Sequence, residues 1–327
     1  MAQHNPNEAN TNEIKPGWER ETLEKLAFAA LTEQKTARRW NLIFKFAMLA
    51  YLILLLGVAV YPKLNKNFVS SNGQHTAVIN LVGMIAEGKD ANASDLIESL
   101  RNAAKDKNTK GIILHANSPG GSPVQSAYVY DEIRALKKQH PNLPIYTVVS
   151  DICASGCYYI AAASDKIFVS QASIIGSIGV LMDGFGYTDG MQKLGIERRL
   201  LTAGSHKAML DPFSPPKTDE TKYMQGLLDE VHQQFISAVK AGRGDRLHDE
   251  PDLFSGLVWT GERSLKLGIA DEYGNDDSVA KNIIGAEKLV DFTKQEQLIE
   301  RLAGKLGESI GFAFDSVFKN YFSQSLR

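Results

Sequence analysis

Between Thr76 and Val169 the chain alternates short apolar runs with segments whose apolar residues recur every three or four positions, and no other feature constrains its fold so tightly. Residues 77–82, 111–115, 145–149 and 166–169 read as buried strands. Residues 94–104, with Ser94 as N-cap, and 123–138 read as helices between them. Strands that alternate with helices through short connections form a parallel sheet covered by helices, so the expected class is α/β. In such folds the site gathers at the carboxyl ends of the strands.

Three strand ends carry candidate chemistry. After 145–149 comes Asp151-Ile-Cys-Ala-Ser-Gly-Cys-Tyr-Tyr159, where Ser155 falls between a strand and a helix. Helix N-terminal amides beneath a serine favour a developing oxyanion, and Gly156 lets a substrate approach the backbone. The small residues Ala154, Ser155 and Gly156 equally suit close packing of a helix on a sheet. After 111–115 comes Asn117-Ser-Pro-Gly-Gly-Ser-Pro123, whose Gly120 and Gly121 suit either an unobstructed amide or a simple turn. The spacing of a phosphate loop is missing. A third strand, expected over 196–202, leads to Ala203-Gly-Ser-His-Lys207, where Lys207 is either a solvated charge or a base. Residues 173–181, β-rich and glycine-spaced, suit pairing with an extended peptide or packing alone.

Composition narrows the chemistry. With 36 basic and 38 acidic residues the net charge is −2, and no strong field points to nucleic acid. The two cysteines, Cys153 and Cys157, are four apart; on a helix that spacing suits a disulfide poorly, so they are expected as small apolar wall residues. Neither His-Glu-x-x-His nor a cysteine pair in ligand arrangement is present, and no metal or cofactor is expected. His115, His140, His206, His232 and His248 give no triad signal, and Gly-x-Ser-x-Gly is absent. A Ser-Lys dyad remains. Its lysine must be neutral to act as a base, and burial against Ala208, Met209, Leu210 and Phe213 would lower its pKa.

Residues 1–41 are polar and charged and read as a mobile or loosely helical tail. Residues 42–61 are apolar except for Lys45, and twenty residues of helix span about 30 Å, the thickness of a bilayer core. Lys35, Arg38 and Arg39 precede this expected transmembrane helix, which places the N-terminus in the cytoplasm and the rest outside. Residues 62–75 read as a linker, 76–285 as the catalytic domain and 286–327 as an amphipathic tail that includes Leu298, Leu302, Leu306 and Ile310.

Asn117-Ser-Pro-Gly-Gly, Ala154-Ser-Gly-Cys-Tyr-Tyr, Gly176-Ser-Ile-Gly-Val and Gly204-Ser-His-Lys followed by Asp-Pro-Phe occur in this order, with Trp259-Thr-Gly-Glu-Arg and Leu-Gly-Ile-Ala-Asp-Glu-Tyr-Gly274 downstream. Together they resemble the S49 family of membrane-anchored serine peptidases, over about residues 76–275. Cys157 departs from the usual glycine after Ser-Gly, and Ala116-Asn117 from the usual entry to the glycine loop. The resemblance implies a crotonase/Clp-like fold, Ser155 as nucleophile, Lys207 as general base and Ser177 orienting that lysine. It also implies that amides near Gly120, Gly121 and Gly156 bind the oxyanion. Short members of the family form homo-oligomeric rings in which serine and lysine come from adjacent copies. The implied substrates are hydrophobic peptides such as released signal peptides, at the outer face of a bacterial inner membrane. Two rivals stay open: an acyl-CoA enzyme of the same fold, and a non-catalytic membrane scaffold.

Overall fold

The computed structural model describes residues 18–66 and 73–294, which fall in two separate units. In the first, Trp18–Lys66 is one helix of 49 residues, α1. The polar stretch before residue 42 continues into the apolar run without a break, because no proline or glycine interrupts the sequence between Trp18 and Leu56. Among the described residues no helix is long and apolar enough to cross a membrane, so the transmembrane helix expected at 42–61 finds no support. The side chains of 56–61 lie outside the described residues, and 42–55 alone make about 21 Å of helix, short of the roughly 30 Å required.

The second unit opens with the expected alternation: β1 (His75–Ile85), α2 (Ala93–Lys105), β2 (Thr109–Gly121), α3 (Pro123–Gln139), β3 (Ile145–Ala154), α4 (Gly156–Ala161), β4 (Lys166–Val169) and β5 (Ile174–Gly176). Next come α5 (Thr188–Lys193), α6 (Thr218–Arg243), β6 (Val258–Thr260), α7 (Gly261–Lys266) and β7 (Glu272–Tyr273). A turn of helix, Asp276–Ser278, widens into the π-helical Val279–Ile284 before β8 (Leu289–Asp291). The sheet runs β6-β5-β3-β2-β1-β8, with β4 joining β3 to β7. Every pairing is parallel except β5 with β6, as the alternation requires.

Strand alternation sends successive side chains to opposite faces. Ala77, Ile79 and Leu81 of β1 and Ile112, Leu114 and Ala116 of β2 enter the main core with residues of α2, α3, α4 and α6. Ile113, Val148 and Phe168 face the other way and are covered by Val279 and Ala280. Asn92 rather than Ser94 caps α2: its side chain accepts from the Asp95 amide at 2.9 Å, and the Ser94 hydroxyl donates to the same oxygen. The pairing of β8 with β1 carries the sheet past residue 285, while the tail from 295 onward lies outside the described residues.

The C-terminal end of α6 is fixed by a buried ion pair. Arg243 is 1% exposed, grips both carboxylate oxygens of Asp271 and donates to the Gly268 carbonyl. Burial alone would raise the Asp271 carboxyl, but the Arg243 guanidinium and the Ile167 amide hold it below its ordinary value. The Leu-Gly-Ile-Ala-Asp stretch of the sequence is therefore a structural clamp.

Two expected strands are altered. Residues 196–202 form no strand, and Leu201 is 96% exposed. Within 173–181 only Ile174–Gly176 is a strand, and both of its edges are taken, by β3 and by β6. The open edge expected there for an extended peptide is closed.

Candidate active site

The strands reach further than their apolar runs suggested because their register slips and then resumes. β1 and β2 slip between Val82 and Met84, and β2 and β3 between Ala116 and Ser118. The glycine loop is thus the end of β2 and not a free turn, and β3 continues through Cys153 to Ala154.

At that end Ser155 has φ 53° and ψ −123°, a backbone conformation that costs a side-chain-bearing residue about 1–3 kcal/mol. Its amide donates to the Gly176 carbonyl at 2.9 Å, and its carbonyl accepts from Tyr159 in α4. The strand therefore turns abruptly into the helix at the serine, which is partly exposed while its neighbours Ala154 and Gly156 are buried. Its hydroxyl makes no capping hydrogen bond to α4.

Gly120 lies directly against this turn. A Cβ there would stand 2.8 Å from the Ser155 Cβ, 2.6 Å from the Ala154 carbonyl and 2.7 Å from the Gly156 nitrogen. Its φ of +100° also suits glycine. Gly156 in turn packs on Ser126 of α3, and its side faces the Gly121 nitrogen. The structure thus brings Ser155, Gly120, Gly121 and Gly156 together, and the small residues of this stretch permit the close packing. The Gly156 amide is at the first position of α4, among the N–H groups that a helix leaves without an internal partner.

Cys153 and Cys157 form a disulfide across this turn, with their Cα atoms 5.1 Å apart. The expectation of free wall cysteines is corrected here. The spacing argument assumed one helix, whereas Cys153 ends a strand and Cys157 begins a helix, and the turn at Ser155 folds one over the other. Both are fully buried.

Ser177 follows the Gly176 that holds the Ser155 amide; it has φ 52°, and its own amide donates to Leu257. Lys207 is placed differently. It sits in a turn where its amide donates to the Gly204 carbonyl at 3.2 Å, and its side chain is exposed. Among the described residues, no hydrogen bond or ion pair joins it to Ser155 or Ser177. The expected burial by Ala208, Met209, Leu210 and Phe213 does not occur, because Phe213 instead stacks on Tyr187 and receives Arg198 on its ring. Arg198 pairs with Asp211, which also accepts from Ser214. The Asp-Pro-Phe stretch therefore braces the loop on itself.

The histidines serve other partners. His115 bonds Asp276 at 2.7 Å, His232 bonds the Ile178 carbonyl and His248 the Lys266 carbonyl. The bond to Asp276 raises the His115 pKa against the opposing effect of burial. Among the described residues no group of three or more acidic, histidine or cysteine side chains is arranged to hold a metal.

Residues 137–291 match the sequence profile of Peptidase family S49, and 73–175 match that of Clp protease. Over nearly half of its length the chain is thus similar to peptidase family S49. The S49 match contains Ser155, Gly156, Ser177 and Lys207, and the Clp match the glycine loop and Ser155. Among relatives, an Enterococcus faecium protein provisionally named a signal peptide peptidase is 32% identical over 202 residues, 62% of this chain and 58% of its own. Protease 4 of Haemophilus influenzae is 28% identical over 218 residues, 65% of this chain and 34% of its own. A Brucella abortus protein named a Na(+)/H(+) antiporter is 40% identical over 218 residues, 66% of this chain but only 29% of that protein. The chain thus spans well under two thirds of the length of these relatives.

Proposed function

We propose that this chain is an S49-type, membrane-anchored serine endopeptidase that hydrolyses apolar peptides, released signal peptides among them, with a Ser155–Lys207 dyad. The observation that carries the reading is the strained Ser155 at the strand-to-helix turn with Gly120 against its Cβ. Strain at a partly exposed serine is consistent with a nucleophile held out for attack. The Ser155 Oγ attacks the scissile carbonyl carbon while a neutral lysine amine takes the hydroxyl proton. Backbone amides stabilise the oxyanion, and the proton passes to the leaving amine as the acyl-enzyme forms. Water then repeats the sequence to release the acid.

Lys207 is exposed and, among the described residues, makes no hydrogen bond to Ser155, which supports a dyad completed between copies of the chain in a homo-oligomer. The segment around it carries exposed apolar side chains, including Leu181, Phe185, Leu194 and Leu201, whose burial would favour assembly and desolvate the lysine. Ser177, beside the Gly176 that holds the nucleophile's amide, is the group we assign to orient the incoming lysine amine. Apolar substrates fit Met84, which pairs with Gly120 in register and is 59% exposed. The run 42–61 is proposed as the anchor on its composition and its preceding basic residues, with the N-terminus in the cytoplasm and the catalytic domain outside the bacterial inner membrane.

An exposed Lys207 without a bond to Ser155 is also what a non-catalytic scaffold would show, and one experiment divides the readings. The intact protein, Ser155→Ala and Lys207→Ala are compared for hydrolysis of extended apolar peptides at matched oligomeric state. Cleavage by the intact protein alone supports the dyad; an assembled intact protein without cleavage supports the scaffold.

A further inference from the structure

We propose that Ser118 is a positioning residue that decides which glycine amides meet the oxyanion; the proposal rests on the peptidase reading above. Ser118 is fully buried, and its hydroxyl stands between two backbones. It donates to the Gly83 carbonyl of β1 at 2.5 Å and accepts from the Gly120 amide at 3.1 Å. In the β2–β3 register it pairs with Cys153, two residues before the nucleophile.

The position is the pivot of both register slips. Between Val82 and Met84 on β1 there is one residue, Gly83, while β2 places Ser118 and Pro119 opposite it. Such a bulge leaves ladder groups without their regular partners. The Ser118 hydroxyl supplies the missing acceptor to Gly120 and the missing donor to Gly83. Beyond the slip the ladder resumes, and the Ser122 amide donates to the Ile85 carbonyl at 2.7 Å. In a parallel ladder alternate residues turn their amides to opposite edges. With Ser122 facing β1, the Gly121 amide faces the other edge, 3.2 Å from where a Cβ on Gly156 would stand.

The three glycines therefore divide their work. Gly120 is a spacer pressed on Ser155, with its amide consumed by Ser118. The donors left for the oxyanion are the amides of Gly121 and Gly156, which converge beside the nucleophile. Ser118 touches no reacting atom and acts through the loop it holds. Without its hydroxyl, the Gly120 amide and the Gly83 carbonyl lose their partner, the glycine loop shifts, and the pair of donors loses its aim.

The test uses the full-length assembled protein and four measurements: kcat, KM, thermal midpoint, and affinity for a peptide boronate, whose tetrahedral adduct with Ser155 presents an oxygen to the same amides. Ser118→Ala is expected to lower kcat and boronate affinity together by about 10²-fold with KM within twofold, because a small misplacement of catalytic groups has that effect. Ser118→Thr, which keeps the hydroxyl, should recover most of both. Ser164→Ala removes a buried hydroxyl bonded to Thr147 and is the control for stability alone. If Ser118→Ala does not fold, Ser118→Cys, a weak donor of similar size, takes its place with the same expectation. A folded variant whose kcat and boronate affinity match the intact protein overturns the proposal, as does a change confined to KM. Labelling of Ser155 by a fluorophosphonate in the intact protein keeps the two readings apart. No labelling sinks the peptidase reading itself, whereas labelling with unchanged Ser118→Ala kinetics sinks only the role of Ser118.

Discussion

The two halves of the proposed dyad stand on ground of opposite kinds. Ser155 is held by β3, α4, the end of β2 and the Gly176 carbonyl, with a disulfide across its turn and glycines pressed on its flank. Lys207 rides on a segment that braces itself through Arg198, Asp211, Phe213 and Tyr187 and leaves Leu194 and Leu201 in solvent. A nucleophile and its oxyanion donors need fixed geometry, which a packed sheet end provides. A lysine base needs desolvation, and a second copy can supply that to a segment that the chain leaves uncovered. On the proposed reading, the difference teaches that the chain prepares the attack by itself and leaves the activation of the nucleophile to assembly.

The sharpest way to break that comparison is to separate the two halves onto different chains. Ser155→Ala and Lys207→Ala are each expected to lower peptide hydrolysis by on the order of 10⁴-fold or more. Co-assembled from a mixture of the two, the protein should regain a measurable fraction of the intact rate, since some sites then receive serine from one copy and lysine from another. A mixture as inactive as its parents would place both groups in one chain.

Next in size is the scaffold under the nucleophile. Arg243→Ala leaves Asp271 with only the longer contact to Arg246 and the Ile167 amide, and a loss of about 3 kcal/mol of stability is expected from urea unfolding. A far smaller loss would show that the clamp on α6 is unimportant to the rigid half. Gly120→Ala comes third. It forces a side chain into the Ser155 turn at positive φ, and kcat should fall roughly 10²-fold while the Lys207 segment and the oligomer persist. Size-exclusion chromatography and kinetics on the same sample read both halves.

The smallest effect is pH-dependent. Asp276 raises the His115 pKa above its ordinary value, so the pair's contribution to stability is complete below the unfolded imidazole's pKa. That contribution is lost as pH rises through the folded value. Unfolding midpoints between about pH 5 and pH 8 should therefore decline more steeply with pH in the intact protein than in Asp276→Asn. Equal slopes would remove His115 from the pH response.

Much of the rigid half could be read from the sequence. The parallel α/β sheet and the position of Ser155 between strand and helix follow from residue patterns that act locally, whereas the company of Gly120, Gly121 and Gly156 was implied only by the family resemblance. The disulfide did not follow, because four-residue spacing was judged on a helix and the chain changes from strand to helix between the two cysteines. The buried role of Ser118 was hidden for a similar reason, since a register slip depends on three strands at once. The exposed half was read less well. Residues 196–202 have the composition of a strand, but a strand forms only by pairing with another, and among the described residues this stretch joins no sheet. Nor does local apolar sequence bury Lys207, since burial depends on what lies across from it.

Gly121 carries a consequence of its own. A side chain there would overlap the Ile85 carbonyl of β1, just as one on Gly242 would overlap the Ala162 carbonyl. In each case the obstacle is main chain, which every amino acid shares, so no second substitution at the opposing position can make room. Sequence drift in this protein is therefore lopsided. The uncovered segment around Lys207 can exchange one apolar residue for another whenever a neighbour changes to match, whereas the end of β2 admits no such trade.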